Sequence, residues 1–402
     1  MTGQLDVPEH RFLERGPFWR AVPGYTAINE ATFLDPLWQA KNAITRPAQL
    51  VEIVGERLPT GFVADLERGL ARAPMALRVT PHVVALVDWP RAFDDPVRRQ
   101  HLPLASEQLP DHPRVRFDAL AEQRDAPVRG LTHRYADRAL FVATDTCPVY
   151  CRFCLRSYAV GTDTERVSKL RLGVEPERWS AAIEHVARTP AIEDVLVSGG
   201  DVYQLRAEHV RSLGEALLAI PHVRRVRYAT KGLGVMPQKV LRDFAWTDAL
   251  ASVAARARRQ LKEVCVHTHI NHPREITGLT ADATAMLRDR DVVVRNQAVL
   301  LRGVNDSPET LRLLVKRLVH VGMQPFYVHV HDLVPGVEDL RTSIARAATL
   351  EKHVRGATAG HDTPAFVVDL PGGGGKRDVH GPEHHDPTTG ISVWTSPVVA
   401  PG

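Results

Sequence analysis

From residue 138 onward the chain repeats one pattern: a short apolar run rich in Val and Ile, then an amphipathic stretch of helical length. The runs are Ala139–Ala143, Asp194–Val197, Val223–Ala229, Val264–His267, Val292–Val299 and Pro325–Val330. Helical stretches Arg178–Arg188, Glu208–Ala219, Leu279–Arg288 and Glu309–Val321 fall between them. Strand and helix in strict alternation predict parallel strands joined by crossover helices. An open doubly wound sheet and a partial barrel both satisfy that pattern.

The placement of the polar residues favours the barrel. Cysteines follow the first run, Ser198-Gly199-Gly200-Asp201 the second, and Thr268-His269-Ile270-Asn271-His272 the fourth. Asn296 and Gln297 lie within the fifth, and His331-Asp332 ends the sixth. A barrel gathers its active site at the carboxyl ends of its strands, and a packed core has no reason to put polar residues there repeatedly. The expectation is therefore an α/β protein: a partial (β/α)6 barrel over 126–376, preceded by a helical N-terminal region (1–125) and followed by a short tail (377–402). His380, His384 and His385 in that tail read as a solvated loop rather than a metal site.

At 402 residues, 44% hydrophobic and 24% charged, the composition is that of a globular protein. The net charge of +4 suits anionic small molecules, and no Lys/Arg block is dense enough to argue for nucleic acid. The start is polar, with no signal-peptide core and no apolar run of membrane-spanning length, so a cytoplasmic protein is expected.

Three of the four cysteines crowd into Cys147-Pro-Val-Tyr-Cys151-Arg-Phe-Cys154. A secreted disulfide framework would spread them in pairs, so the cluster reads as metal binding in a reducing compartment. Thiolates are the usual ligands of iron–sulfur clusters, most of which take four. Three on one tight loop leave one iron open, able to bind the amino and carboxylate groups of S-adenosylmethionine and pass an electron into its sulfonium. A zinc site would call for a fourth Cys or a His at regular spacing. Cys265 lies in an apolar run, where a buried thiol is ordinary. Ser198–Asp201 offers glycines for close backbone approach and a carboxylate for an ammonium group, which beside the triad makes an S-adenosylmethionine site.

Further on, Asp369-Leu-Pro-Gly-Gly-Gly-Gly375-Lys376 runs from a strand into a flexible turn. A P-loop would need a different spacing and a Ser or Thr after the lysine, where Arg377 stands. A lysine after a glycine run could swing between a Schiff base and a released amine, as pyridoxal phosphate chemistry requires, or could sit on a plain surface loop.

Together these motifs resemble the lysine 2,3-aminomutase family of radical S-adenosylmethionine enzymes. The matching stretches are Gly130–Arg138, the cysteine loop, Ser198–Asp201, Thr268–Pro273, Asn296–Asp306 and Asp369–Lys376. The resemblance implies an isomerase with a [4Fe–4S] cluster, S-adenosylmethionine and pyridoxal phosphate, an electron donor such as flavodoxin or ferredoxin, and a homo-oligomer. It places the cluster on Cys147, Cys151 and Cys154, and pyridoxal phosphate on Lys376 beside Arg134 and Arg138. Ser198, Gly199, Gly200, Asp201, His269 and Gln297 would contact S-adenosylmethionine. Arg156 would grip the substrate carboxylate, and Asp332 and Asp369 its distant ammonium group.

Departures from the family pattern bear on the substrate. Ser157 and Tyr158 replace arginines, Thr230-Lys-Gly-Leu-Gly replaces a Ser-Arg-Thr-Pro-like stretch, and residues 242–262 read as an enlarged helical insertion. Ser307 stands where some members have a zinc-binding cysteine, so no zinc is expected. The function implied is a 2,3-aminomutase for a basic L-amino acid, with lysine first, arginine as the alternative, and glutamate disfavoured by the two aspartates. A radical enzyme acting on a macromolecule, or a non-catalytic relative, are the other classes; the missing docking surface argues against the first, the intact cysteines and Lys376 against the second.

Overall fold

A computed structural model describes residues 8–396, which leaves the polar start and the end of the tail outside the described residues. All six apolar runs are strands of one nine-stranded sheet. Its strands are β1 (Leu131–Tyr135), β2 (Arg138–Thr144), β3 (Asp194–Gly199), β4 (Arg225–Thr230) and β5 (Glu263–Thr268), then β6 (Val293–Leu300), β7 (Gln324–Val330), β8 (Ala365–Leu370) and β9 (Gly375–Asp378). Spatial order equals chain order: β2 to β8 run parallel, while β1 and β9 lie antiparallel at either edge. The edges approach through a side chain, since the Lys376 amide on β9 donates to the Tyr135 hydroxyl on β1 at 2.8 Å. The result is a nearly closed barrel-like sheet with a helical N-terminal region.

Period-two alternation sorts the strand residues onto two faces. Val195, Val197, Val226, Tyr228, Val264, Val266, Val294, Ala298 and Val328 face outward and share one core with Leu213, Leu217, Val253, Leu287, Leu314 and Leu318 of the crossover helices. The inner face is polar. At the amino ends of the strands it is closed by ion pairs: Arg227–Asp194 at 2.7 Å, Arg225–Glu263 at 2.6 Å and Arg295–Glu263 at 2.6 Å. These pairs occupy the amino end, and the polar residues read from the sequence lie at the carboxyl end.

The stretch 242–262, read as an enlarged helical insertion, is mainly a crossover helix packed in the main core. Phe244–Arg259 is the β4–β5 crossover helix, and its Trp246, Leu250, Val253 and Ala257 are buried in the main core. It belongs to the barrel because the parallel β4–β5 pairing requires a crossover. Ser307 caps Pro308–His320 by accepting from the Thr310 amide. The sheet also runs past residue 376, through β9, before a two-stranded hairpin of His384–His385 with Ser392–Val393. Both hairpin histidines are exposed.

Residues of the N-terminal region form a separate core, with Trp19 stacked on Phe33 at 4.2 Å and Phe62 against Trp89. That core includes Val149 of the cysteine loop and Val235 after β4, so the region docks where the site lies. Among the described residues no helix is long and apolar enough to cross a membrane.

Candidate active site

The cysteine loop leaves the carboxyl end of β2 and is stitched down on both sides. The Tyr150 amide donates to the Arg78 carbonyl at 2.9 Å and the Arg152 amide to the Gln100 carbonyl at 3.0 Å, tying it to the N-terminal region. The buried Arg152 guanidinium reaches Asp339 at 2.8 Å. On the β3 side the Gly200 amide donates to Thr144 and the Asp201 amide to Thr146, at 2.6 and 2.8 Å. This explains the glycine pair differently from the sequence reading: the close approach is to the protein's own backbone. A Cβ on Gly199 would stand 2.1 Å from the Thr144 oxygen, and one on Gly200 2.2 Å from the Thr146 oxygen. Gly199 also has φ of +133°, where side chains are strained. We expect Gly200→Ala to destabilise the fold by about 1–3 kcal/mol, the usual range for overpacking, read as a lower urea midpoint. An unchanged midpoint would contradict this account.

Cys147, Cys151 and Cys154 are partly exposed and fall within one another's electrostatic reach. Burial pushes all three thiols up, Cys151 to about 12. Cations oppose this from separate elements: Arg78 at Cys147, Lys231 at Cys151, Arg156 and Lys169 at Cys154. No three His, Cys, Asp or Glu among the described residues converge on a single ion. Three clustered thiols, each with a cation to offset a thiolate, fit an iron–sulfur cluster. Cys265 is away from the loop, fully buried on β5 with its sulfur 3.2 Å from the Arg295 guanidinium.

Asp201 has a different role from the expected one. Its carboxylate accepts from the Tyr203 and Lys231 amides at 2.8 and 2.7 Å, so it holds the turn instead of presenting both oxygens to a ligand. The stretch after β4 is likewise internal: the Lys231 ammonium pairs with buried Glu275 at 2.6 Å, and Gly232 packs against the Tyr203 ring. Burial alone would raise the Glu275 carboxyl, but Lys231 and backbone amides bring it down to about 2. The ammonium also donates to the His269 carbonyl at 2.9 Å, fixing the chain at that histidine. His269 itself lies 5.7 Å, ring to ring, from Phe153 of the cysteine loop, and its Nε2 has no hydrogen-bond partner among the described residues. Burial drives it down to about 3, so it stands neutral. Gln297 is partly buried on β6 and Ser198 buried at the end of β3.

The second half of the site surrounds Lys376. Antiparallel register sets Asp369 opposite Lys376, and the ammonium pairs with that carboxylate at 2.7 Å. His329 Nδ1 is within 3.2 Å of the same nitrogen and 3.1 Å of the same carboxylate, and the Tyr327 ring lies 5.1 Å below the ammonium. The glycine run is a defined turn, with positive φ at Gly372, Gly373 and Gly375. Arg134 lies against it: a Cβ on Gly373 would sit 3.1 Å from Arg134 Nε. The Arg134 fork is held by Asp125 at 2.7 Å and by the Leu120 carbonyl. Arg138 is half-exposed, stacked 3.7 Å over the Tyr135 ring and paired with Asp137.

Asp332 and Asp369, both expected to hold the substrate's distant ammonium group, share the site but are not equivalent. Lys376 and His329 hold the Asp369 carboxyl far down against its burial. Burial, then the charge of Asp369, pushes Asp332 up to about 8. Arg156 is close enough to oppose that rise, but its fork is already bonded to Glu122 at 2.9 and 2.7 Å.

Glu122, Tyr158, Tyr327 and His329 are the site residues the sequence reading missed. Tyr327 and His329 carried a signal, being polar residues two apart on an apolar strand. The register shift between Asn296 and Gln297 on the β6–β7 ladder marks where β7 is irregular, at Phe326.

A cysteine triad at the mouth of a nearly closed parallel barrel defines a radical S-adenosylmethionine enzyme. The chain is 36% identical to the L-lysine 2,3-aminomutase of Clostridium subterminale over 88% of its length and 79% of that protein. It is 32% identical to the Bacillus subtilis L-lysine 2,3-aminomutase, covering 89% of this chain and 71% of that one. A glutamate 2,3-aminomutase of Clostridioides difficile is 30% identical over 84% of this chain and 75% of its own. The chain belongs to the lysine 2,3-aminomutase family. It is therefore an aminomutase, an isomerase, and membership implies a [4Fe–4S] cluster, S-adenosylmethionine and pyridoxal phosphate. No family model matches. Among solved structures, Streptococcus suis SuiB bound to S-adenosylmethionine overlaps 58% of this chain and 50% of its own, with TM-score 0.42 and 14% identity.

Proposed function

We propose that this aminomutase moves the α-amino group of a basic L-amino acid, lysine first and arginine second, to C3. The observation that carries the reading is Asp332: a half-buried carboxylate with no side-chain partner among the described residues, within electrostatic reach of both Asp369 and Arg156. A cation entering there replaces lost water with an anionic partner, whereas a neutral end does not. Arg156 meets the substrate carboxylate and Asp332 the far ammonium, so the two fix substrate length.

Cys147, Cys151 and Cys154 would hold the cluster, and His269, Gln297 and Ser198 would contact S-adenosylmethionine. Lys376 would carry pyridoxal phosphate, with Arg134 beside its turn. Bound here, these groups would supply a one-electron route to a carbon radical and a carbonyl to hold the migrating nitrogen. The residues supply the rest. Asp369 pairs with the Lys376 amine at 2.7 Å and keeps it in place. His329 touches both and can take or return the proton. The reading also calls for an external one-electron donor of the flavodoxin or ferredoxin kind, and for self-association.

The test is an anaerobic assay of lysine, arginine, glutamate and norleucine with reductant and all three cofactors, the β-amino product being identified by mass. Turnover of lysine or arginine far above the other two is expected; glutamate as the best substrate would overturn the reading. Borohydride reduction followed by peptide mapping should leave a pyridoxyl group on Lys376. A label on Lys231, which the structure buries against Glu275, would refute that assignment.

A further inference from the structure

We infer that Glu122 is a positioning residue for substrate binding: it holds one edge of the Arg156 guanidinium so that the other edge faces the amino-acid carboxylate. The inference rests on the reading of Arg156 given under Proposed function.

Its basis is geometric. Glu122 Oε2 accepts from Arg156 Nε at 2.9 Å and Oε1 from Nη2 at 2.7 Å, a two-point contact along one edge of the fork. The guanidinium has five N–H groups, of which this contact uses two. The Nη1–Nη2 edge keeps a donor on each nitrogen, parallel and spaced for a second carboxylate. The guanidinium has no other hydrogen-bond partner among the described residues. The Tyr158 hydroxyl donates to Glu122 Oε2 at 3.0 Å, fixing the carboxylate from the other side.

Glu122 is itself firmly placed. Its amide and that of Gln123 donate to the Asp118 carboxylate at 2.8 and 3.0 Å, and its carbonyl accepts from Thr132 at 3.2 Å. The side chains of Glu122 and Arg156 are 6% and 18% exposed, so the pair is shielded while the arginine still opens to the site. A long arginine side chain has many rotamers, and orienting it in advance removes that entropy from the binding step. The pair is also electrically balanced. Arg156 therefore recognises a carboxylate by shape and hydrogen bonds, with little net field at Asp332.

The experiment compares lysine with 1,5-diaminopentane, which is lysine without its carboxylate. Affinities are measured by calorimetry on the anaerobic, cofactor-loaded protein without reductant, so that nothing turns over. The wild type should prefer lysine strongly. Arg156→Met should abolish that preference, and Glu122→Gln should reduce it at least about tenfold, the loss expected for a charge-assisted contact. Diaminopentane affinity should change far less than lysine affinity in both, and iron content should stay unchanged in Glu122→Gln. Damage to the fold would weaken both ligands alike, so the ratio separates positioning from a merely structural role. If Glu122→Gln does not yield folded protein, Tyr158→Phe should give the same change at about threefold. A Glu122→Gln or Tyr158→Phe protein with the wild-type ratio, while Arg156→Met loses it, overturns the inference and leaves the Arg156 reading intact. An Arg156→Met protein that keeps the ratio overturns both.

Discussion

Replacing Cys147, Cys151 or Cys154 with alanine is expected to remove most of the iron and abolish turnover, whereas Cys265→Ala keeps both. Burial raises the three loop thiols, so on their own they stay protonated; bound iron favours the thiolate, and the neighbouring cations help. With one ligand gone, two thiolates must hold the cluster and a second iron is left open. Cys265 lies within β5 and takes no part, so its loss should cost about 1 kcal/mol of stability, as for removal of one small buried group. Iron assay and visible absorption of the anaerobic protein read the outcome. A triple-alanine variant that keeps a reconstituted cluster would end the assignment.

The second large effect is at Asp332. Asp332→Asn should weaken lysine by about 2–5 kcal/mol, the range for truncating one member of a buried charge pair, while norleucine is little affected. The effect should also depend on pH, with a definite sign. In the ligand-free site burial and Asp369 push the Asp332 carboxyl up to about 8, so near pH 7 it is mostly protonated. A cation binds the ionised form, so lysine affinity should rise as pH increases toward 8, by about tenfold per unit well below it, and then level off. It should fall again only above about pH 10, where the substrate ammonium loses its proton. Norleucine should bind no better above pH 8, since ionising an unpaired carboxylate opposes binding of an apolar end. The same carboxyl affects folding: its folded-state value lies above the unfolded one, so its contribution is full below about pH 4 and lost as pH rises through about 8. Asp332→Asn should therefore melt higher than wild type at neutral pH while binding lysine less well. Equal affinity for norleucine and lysine across this range would overturn the role.

The fold was legible because its signals are local. Val and Ile alternation sets the strands, and the helical stretches read at 279–288 and 309–321 coincide with helices Gly278–Arg288 and Pro308–His320. Strand β1 was quoted only as part of a motif, because Leu131–Tyr135 is short and mostly polar, and pairing with β2 is what makes it a strand. The helix at 244–259 was visible as a helix but not as part of the barrel, since its role depends on which strands it joins. Within the site, single residues with unusual chemistry could be picked out, and their partners could not. Nothing near Glu122 in the chain points to Arg156, 34 residues away, and no local rule tells Asp369, paired with Lys376, from unpaired Asp332. Those distinctions arise only once the sheet has curled. The glycine pair at 199–200 is the instructive case: the residue type was read correctly as permitting close approach, but the approaching partner was backbone.

That glycine contact also bears on maturation. Thr144 and Thr146 on the approach to Cys147 are held by amides at the end of β3, and the loop beyond is held by carbonyls of Arg78 and Gln100 from the N-terminal region. Three distant parts of the polypeptide must meet before the thiols take up their relative positions. Iron should therefore enter a chain that is already folded, and cells starved of iron should accumulate protease-resistant apoprotein that is rapidly rescued when iron and sulfide return.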